Sequence, residues 1–100
     1  MSRARIEVPR ERIAEFCRRR HIRRLALFGS VLRDDFTAQS DVDVLVEFEA
    51  GTRLGFVLVD IEQELSQIFG RRVDLRTPQE LSQYFRDEVL AEAEEVYVAA

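Results

Sequence analysis

Two carboxylates one residue apart, Asp41 and Asp43, stand at the start of an apolar run, Val42-Asp43-Val44-Leu45-Val46-Glu47-Phe48, and a Gly-Ser pair, Gly29-Ser30, closes the apolar run before it. Acids held side by side repel each other unless a cation lies between them, and oxygen-only ligation favours a hard ion, Mg²⁺ first. A glycine lets the chain turn sharply and bring its backbone close to a ligand, while a serine hydroxyl with nearby backbone N–H groups suits a phosphate. Metal-binding carboxylates beside a phosphate cradle imply chemistry on a nucleoside triphosphate.

The elements around these residues must hold them together. From Asp41 to Phe48, Val42, Val44, Val46 and Phe48 share one parity and Asp41, Asp43, Leu45 and Glu47 the other. That is the period of a strand with one buried face, and it projects both acids from the same side. Leu25 to Phe28 reads as a buried strand that leaves through Gly29, with Ser30 opening a short helix over Val31-Leu32-Arg33. Further on, Arg71 to Arg76 reads as a short strand in which Val73 and Leu75 share a face and Asp74 points the other way. If that strand lies beside the Asp41 strand with the same face open, Asp74 completes a carboxylate triad; otherwise it is an alternating polar residue on an edge strand.

Gly29-Ser30, ten intervening residues, and then Asp41-Val42-Asp43 resemble the signature of the nucleotidyltransferase superfamily that includes DNA polymerase beta. The short chain looks like its minimal members, the MNT proteins that act as antitoxins beside HEPN-domain toxins, and the resemblance spans about Arg10 to Val98. It implies an α/β (α+β) nucleotidyltransferase fold with a small mixed sheet of three to four strands flanked by helices. It also implies that Asp41, Asp43 and Asp74 bind two Mg²⁺ ions, which in two-metal sites lie about 4 Å apart. Gly29 and Ser30 would hold the β- and γ-phosphates of ATP. Where relatives carry a small residue and a glycine around the arginine of this segment, this chain has Leu32 and Asp34, so Arg33 is either a nucleotide or acceptor contact or a surface partner of Asp34 or Asp35.

By the same resemblance the acceptor is a tyrosine hydroxyl on a HEPN-type toxin encoded by a neighbouring gene, to which AMP is transferred with release of pyrophosphate. A rival reading makes the chain a silent antitoxin that neutralises its toxin by binding alone. Transfer to RNA or to a small molecule ranks below both, since a hundred residues leave little room for a second substrate site.

Composition narrows the field. The chain of 100 residues reads as residues 1–8, a ragged flexible start, followed by one minimal domain over 9–100. No stretch reaches the length of a membrane span, and the arginine-rich start lacks the apolar core of a signal peptide, so a cytoplasmic protein with no membrane contact is expected. All 15 basic residues are arginine, so any positive side chain that steadies a triphosphate is a guanidinium. Residues 1 to 24 carry nine arginines against Glu7, Glu11 and Glu15, whereas residues 77 to 100 set Arg86 against Glu80, Asp87, Glu88, Glu92, Glu94 and Glu95. With a net charge of −4, direct nucleic-acid binding is not expected; homo-oligomer formation stays open. Cys17, the single cysteine, reads as a packed thiol, and His21 as a helix-end residue.

The remaining elements follow from periodicity. A helix is predicted from Pro9 to about Arg20 on Ile13, Phe16 and Cys17. A longer one over Leu54 to Phe69 uses Leu54, Leu58, Ile61, Leu65 and Ile68, with Asp60, Glu62 and Glu64 on its solvated face and Gly70 as its stop. Thr77-Pro78-Gln79-Glu80 reads as a capping box that opens a helix through Tyr84. A second helical run is predicted from Arg86 to Glu95 before a Val96-Tyr97-Val98 tail, with Leu81, Phe85, Val89, Leu90 and Ala93 facing core or partner.

Overall fold

In a computed structural model, which describes residues 4–52, 57–84 and 86–99, the chain forms α1 (Arg10–Arg19), β1 (Ile22–Phe28), β2 (Val42–Phe48), α2 (Val57–Phe69), β3 (Val73–Arg76), α3 (Arg86–Glu92) and β4 (Glu94–Val98). Short 3₁₀ turns cover Gly29–Leu32 and Pro78–Glu80. The four strands make one mixed sheet in the order β3-β2-β1-β4. The β1–β2 and β1–β4 pairs are antiparallel and β2–β3 is parallel. A parallel pair needs a long crossover, and α2 supplies it.

The core lies between the sheet and the two longer helices. Ile13, Phe16 and Cys17 from α1 and Ile61 and Leu65 from α2 are buried with Ile22, Leu25, Leu27, Val42, Val44, Val46, Val73 and Leu75 from the strands. These strand residues have the parity opposite to Asp43 and Asp74, which leaves the carboxylates on the face away from the helices. Ahead of α1, the Arg5 N–H donates to the Val31 carbonyl at 2.9 Å, and Ala4, Ile6 and Val8 pack against the core. The start expected to be ragged therefore makes contacts from residue 4 onward.

Helix ends are where the chain's local chemistry shows. The Arg20 N–H bonds the Phe16 carbonyl at 3.0 Å and His21 then takes φ +59, so the histidine serves as the left-handed residue that ends α1. Gly70, with φ +71, ends α2 in the same way, and both its N–H and that of Arg71 reach the Ser66 carbonyl. The stretch Leu54 to Phe56 at the start of the predicted long helix, and Phe85 among the residues expected to face core or partner, lie outside the described residues.

Two acids on α2 do more than meet solvent. Glu62 Oε2 accepts the Leu75 N–H at 3.0 Å. Ser66 Oγ accepts the Val73 N–H at 3.1 Å. The outer edge of β3 is thus closed by helix side chains on both sides of Asp74, instead of being left with bare donors. Glu64 pairs with Arg19 and Arg20, at 2.5 and 2.9 Å, and ties α2 to the end of α1. Periodicity assigned both glutamates to the solvated face because it registers where a side chain points and not the donors it meets there.

The C-terminal third departs most from expectation. The predicted helix through Tyr84 is only the 3₁₀ turn Pro78–Glu80, although the Glu80 carboxylate does reach back to the Thr77 N–H at 3.2 Å. The next helix stops at Glu92, and Glu94–Val98 is a strand on the free edge of β1. The reason is cross-strand pairing. Arg24 in the middle of β1 hydrogen-bonds Glu47 of β2 at 3.0 Å and forms an ion pair with Glu95 of β4 at 2.9 Å, so a glutamate that suits a helix in isolation finds this counter-ion in the sheet.

Candidate functional site

The acids gather where β1, β2 and β3 run together. Asp43 pairs with Phe28 on one side and with Asp74 on the other, so Asp43 and Asp74 are immediate neighbours across the parallel pair. Asp41 precedes β2, which begins at Val42, and the Val42 N–H donates to the Arg72 carbonyl at 2.9 Å. Strand pairing thus starts right after Asp41. All three acids are half-buried.

Electrostatics single out Asp43. Burial, then the charges of Asp74 and Asp41, push its carboxyl above the ordinary range, with Arg76 and Arg33 pulling the other way. The charges of Asp74 and Asp41 thus both act on the acid between them.

Gly29 forms the wall opposite. Its φ of +75° is left-handed. A Cβ on it would stand 3.2 Å from Asp43 Cγ and closer still to Oδ2. Glycine was expected here so that the backbone could approach a ligand; in the structure the group that approaches is the Asp43 carboxylate. Ser30 follows within the 3₁₀ turn, half-buried, and its carbonyl accepts the Arg33 N–H at 2.9 Å. Arg33 is exposed, with Nε 3.2 Å from Asp35 Oδ1, while Asp34 pairs with Arg5 instead. Arg33 nevertheless lies near enough to Asp43 for its charge to be felt there.

As donors, these acids suit a hard divalent cation: oxygen ligands only, on adjacent strands, with a surplus of negative charge. Among the described residues, however, no three His, Cys, Asp or Glu side chains stand together in a form that could hold a metal ion. Asp74 is turned to a guanidinium instead, with Arg76 Nε 3.2 Å from Oδ1 and Nη2 3.4 Å from Oδ2. Arg76 shares the parity of Asp74, so the alternation of β3 already put the two on one face, and the pairing with β2 brings both beside Asp43.

The nucleotidyltransferase domain profile matches residues 10–96, nearly the whole chain, with Gly29, Ser30, Arg33, Asp41, Asp43 and Asp74 all inside the match. The chain belongs to the nucleotidyltransferase domain family. Its relatives include the protein adenylyltransferase MntA of Thermococcus cleftensis, 36% identical over 77% of this chain and 75% of that protein. A solved structure classed as a minimal nucleotidyltransferase superposes with a TM-score of 0.70 at 36% identity, covering 84% of this chain and 85% of that one. The fold is also similar to that of a chain in the complex of tri-AMPylated Shewanella oneidensis HEPN toxin with MNT antitoxin, with a TM-score of 0.64 at 21% identity over 90% of this chain and 70% of that one. The four-stranded mixed sheet with its helices is thus a nucleotidyltransferase fold, and the Asp43–Asp74 pair lies inside the family's domain. No helix among the described residues is long and apolar enough to cross a membrane.

Proposed function

We propose that this nucleotidyltransferase is an antitoxin that moves AMP from ATP to a tyrosine hydroxyl of a HEPN-type toxin in the cytoplasm. The observation that carries this reading is the register of Asp43 against Asp74, with Gly29 packed against the Asp43 carboxylate. The adenylyltransferase relative at 36% identity supports the nucleotide and the reaction class, and the AMPylated toxin complex supports the kind of acceptor.

In this reading Asp41, Asp43 and Asp74 would hold Mg²⁺, two ions as the family resemblance implies, and the metal would supply charge neutralisation of the triphosphate. The Gly29-Ser30 turn receives the β- and γ-phosphates, and Arg33 lends positive charge at the rim. The toxin's tyrosine oxygen attacks the α-phosphorus, the bond to the β-phosphate oxygen breaks, and pyrophosphate leaves. The Asp74 carboxylate takes the proton of the attacking hydroxyl. Such catalysis rests on positioning and charge stabilisation, which side chains fixed on paired strands can provide, with the acceptor brought by the partner.

The test mixes the protein, Mg²⁺ and ATP labelled at the α-phosphate with a HEPN toxin, alongside an Asp41→Ala/Asp43→Ala variant. Label on the toxin only when the acids are intact supports the reading. A stable complex without label transfer replaces it with the silent antitoxin.

A further inference from the structure

Arg76 follows Asp74 by two residues on β3, and both oxygens of Asp74 meet its guanidinium, at 3.2 Å from Nε and 3.4 Å from Nη2. On its far side Nη1 lies 3.8 Å from Glu80 Oε2. Glu80 is held in place through its other oxygen, which accepts from the Thr77 N–H at 3.2 Å and from the Thr77 hydroxyl at 3.1 Å. The register sets Arg76 beside Leu45, two residues along from the Asp43–Asp74 pair and on the same face, and its charge is among those that oppose the rise at Asp43. One cation thus stands between two acids: a member of the triad, and a glutamate anchored in the next turn.

We propose that Arg76 is a counter-ion latch of the metal site. It occupies Asp74 in the metal-free protein and passes to Glu80 when a divalent cation draws Asp74 in, so that the Asp74–Arg76–Glu80 chain sets metal affinity. This rests on the reading of Asp74 as a metal ligand. A carboxylate whose two oxygens face a guanidinium fork gives up that paired geometry before it can offer a lone pair to an ion. With the side chains of Arg76 and Asp74 46% and 37% exposed, the pair is weak, and the latch shifts affinity by about five-fold without blocking the site. Glu80 is a fitting second partner because its anchoring oxygen is not the one that faces Arg76. Arg76 is therefore a positioning residue that acts through Asp74.

The experiment titrates the full chain with Mn²⁺ alone, a carboxylate-binding stand-in for Mg²⁺, and reads free Mn²⁺ by electron paramagnetic resonance. Arg76→Gln should bind Mn²⁺ about five-fold more tightly than wild type, and Arg76→Lys, which keeps the charge but loses the fork, should fall between them. Glu80→Gln keeps an amide oxygen for Thr77, removes the alternative partner and should bind about two-fold more weakly. Damage to the fold would weaken binding in both variants, and a plain change of net charge near the acids would act in any background, so the latch is read from the double variants. In an Asp74→Asn background the Arg76→Gln gain should disappear, and in an Arg76→Gln background so should the Glu80→Gln loss. If wild type binds Mn²⁺ through Asp41 and Asp43 while Arg76→Gln binds no more tightly, the latch is wrong and the metal site stands. If the Asp41→Ala/Asp43→Ala variant binds Mn²⁺ as wild type does, or neither binds, the metal site is wrong and the latch goes with it.

Discussion

The Asp43 carboxylate lies over the Cα of Gly29, so close that a Cβ there would stand 3.4 Å from Asp43 Cβ and 3.2 Å from Cγ. The turn that is to hold phosphates and the acid that is to hold metal are thus in direct contact. Gly29→Ala should cost about 3 kcal/mol, combining the left-handed backbone with the overlap. In an Asp43→Ala background only the backbone part, about 1–2 kcal/mol, should be left. Urea unfolding of the four chains checks this, and equal costs in both backgrounds would contradict the contact.

Asp43 also carries a pH signature. Its folded-state pKa is raised, mainly by burial and then by Asp74 and Asp41. Between the ordinary aspartate value and the raised one, the folded protein keeps a proton that the unfolded chain releases, so the contribution of Asp43 to stability falls as pH rises through that window. Asp43→Asn should therefore melt above wild type near about pH 7 in metal-free buffer, with the gap closing near about pH 4. Melting curves across that range test the sign, and a variant less stable than wild type at neutral pH would reverse it.

Much of this site was legible in the sequence because strand alternation and the Gly-Ser and Asp-x-Asp spacings are local. Asp43, Gly29 and the body of α1, β1 and β2 follow from them directly. Asp74 was legible only conditionally, since no local pattern says which strand lies beside β3; the register with Asp43 is a tertiary fact. β4 was missed for a related reason: Glu94 and Glu95 extend a helical period, and only Arg24, seventy-one residues before Glu95, makes a strand the better use of that glutamate. The contact between Gly29 and Asp43 left no trace in the spacing.

The anchoring of β3 by α2 gives a third test. Glu62→Ala removes the acceptor of the Leu75 N–H and should cost about 1–3 kcal/mol. Amide exchange should quicken at Leu75, and Glu62→Gln, which retains an oxygen, should recover most of the loss. Unchanged exchange at Leu75 would show that the helix does not secure the strand.

Cys17 is fully buried, and burial pushes its thiol up to about 12. It should resist alkylation by iodoacetamide at about pH 8 in the folded protein and react on unfolding, since only the thiolate is the nucleophile. Mass spectrometry after native and denaturing treatment reads this out, and rapid native labelling would show that the core under α1 opens.

The most direct measurement concerns the acid one strand away from Asp43. Asp74→Asn preserves size and backbone while removing a charge, and transfer of α-labelled AMP from ATP to a HEPN toxin can be followed beside binding of the two proteins. The account predicts that the variant binds the toxin as wild type does and loses transfer by about a hundred-fold or more, the scale expected when a group acting on the transition state is removed. Transfer at the wild-type rate would contradict the pairing of Asp43 and Asp74 as the working centre of this protein.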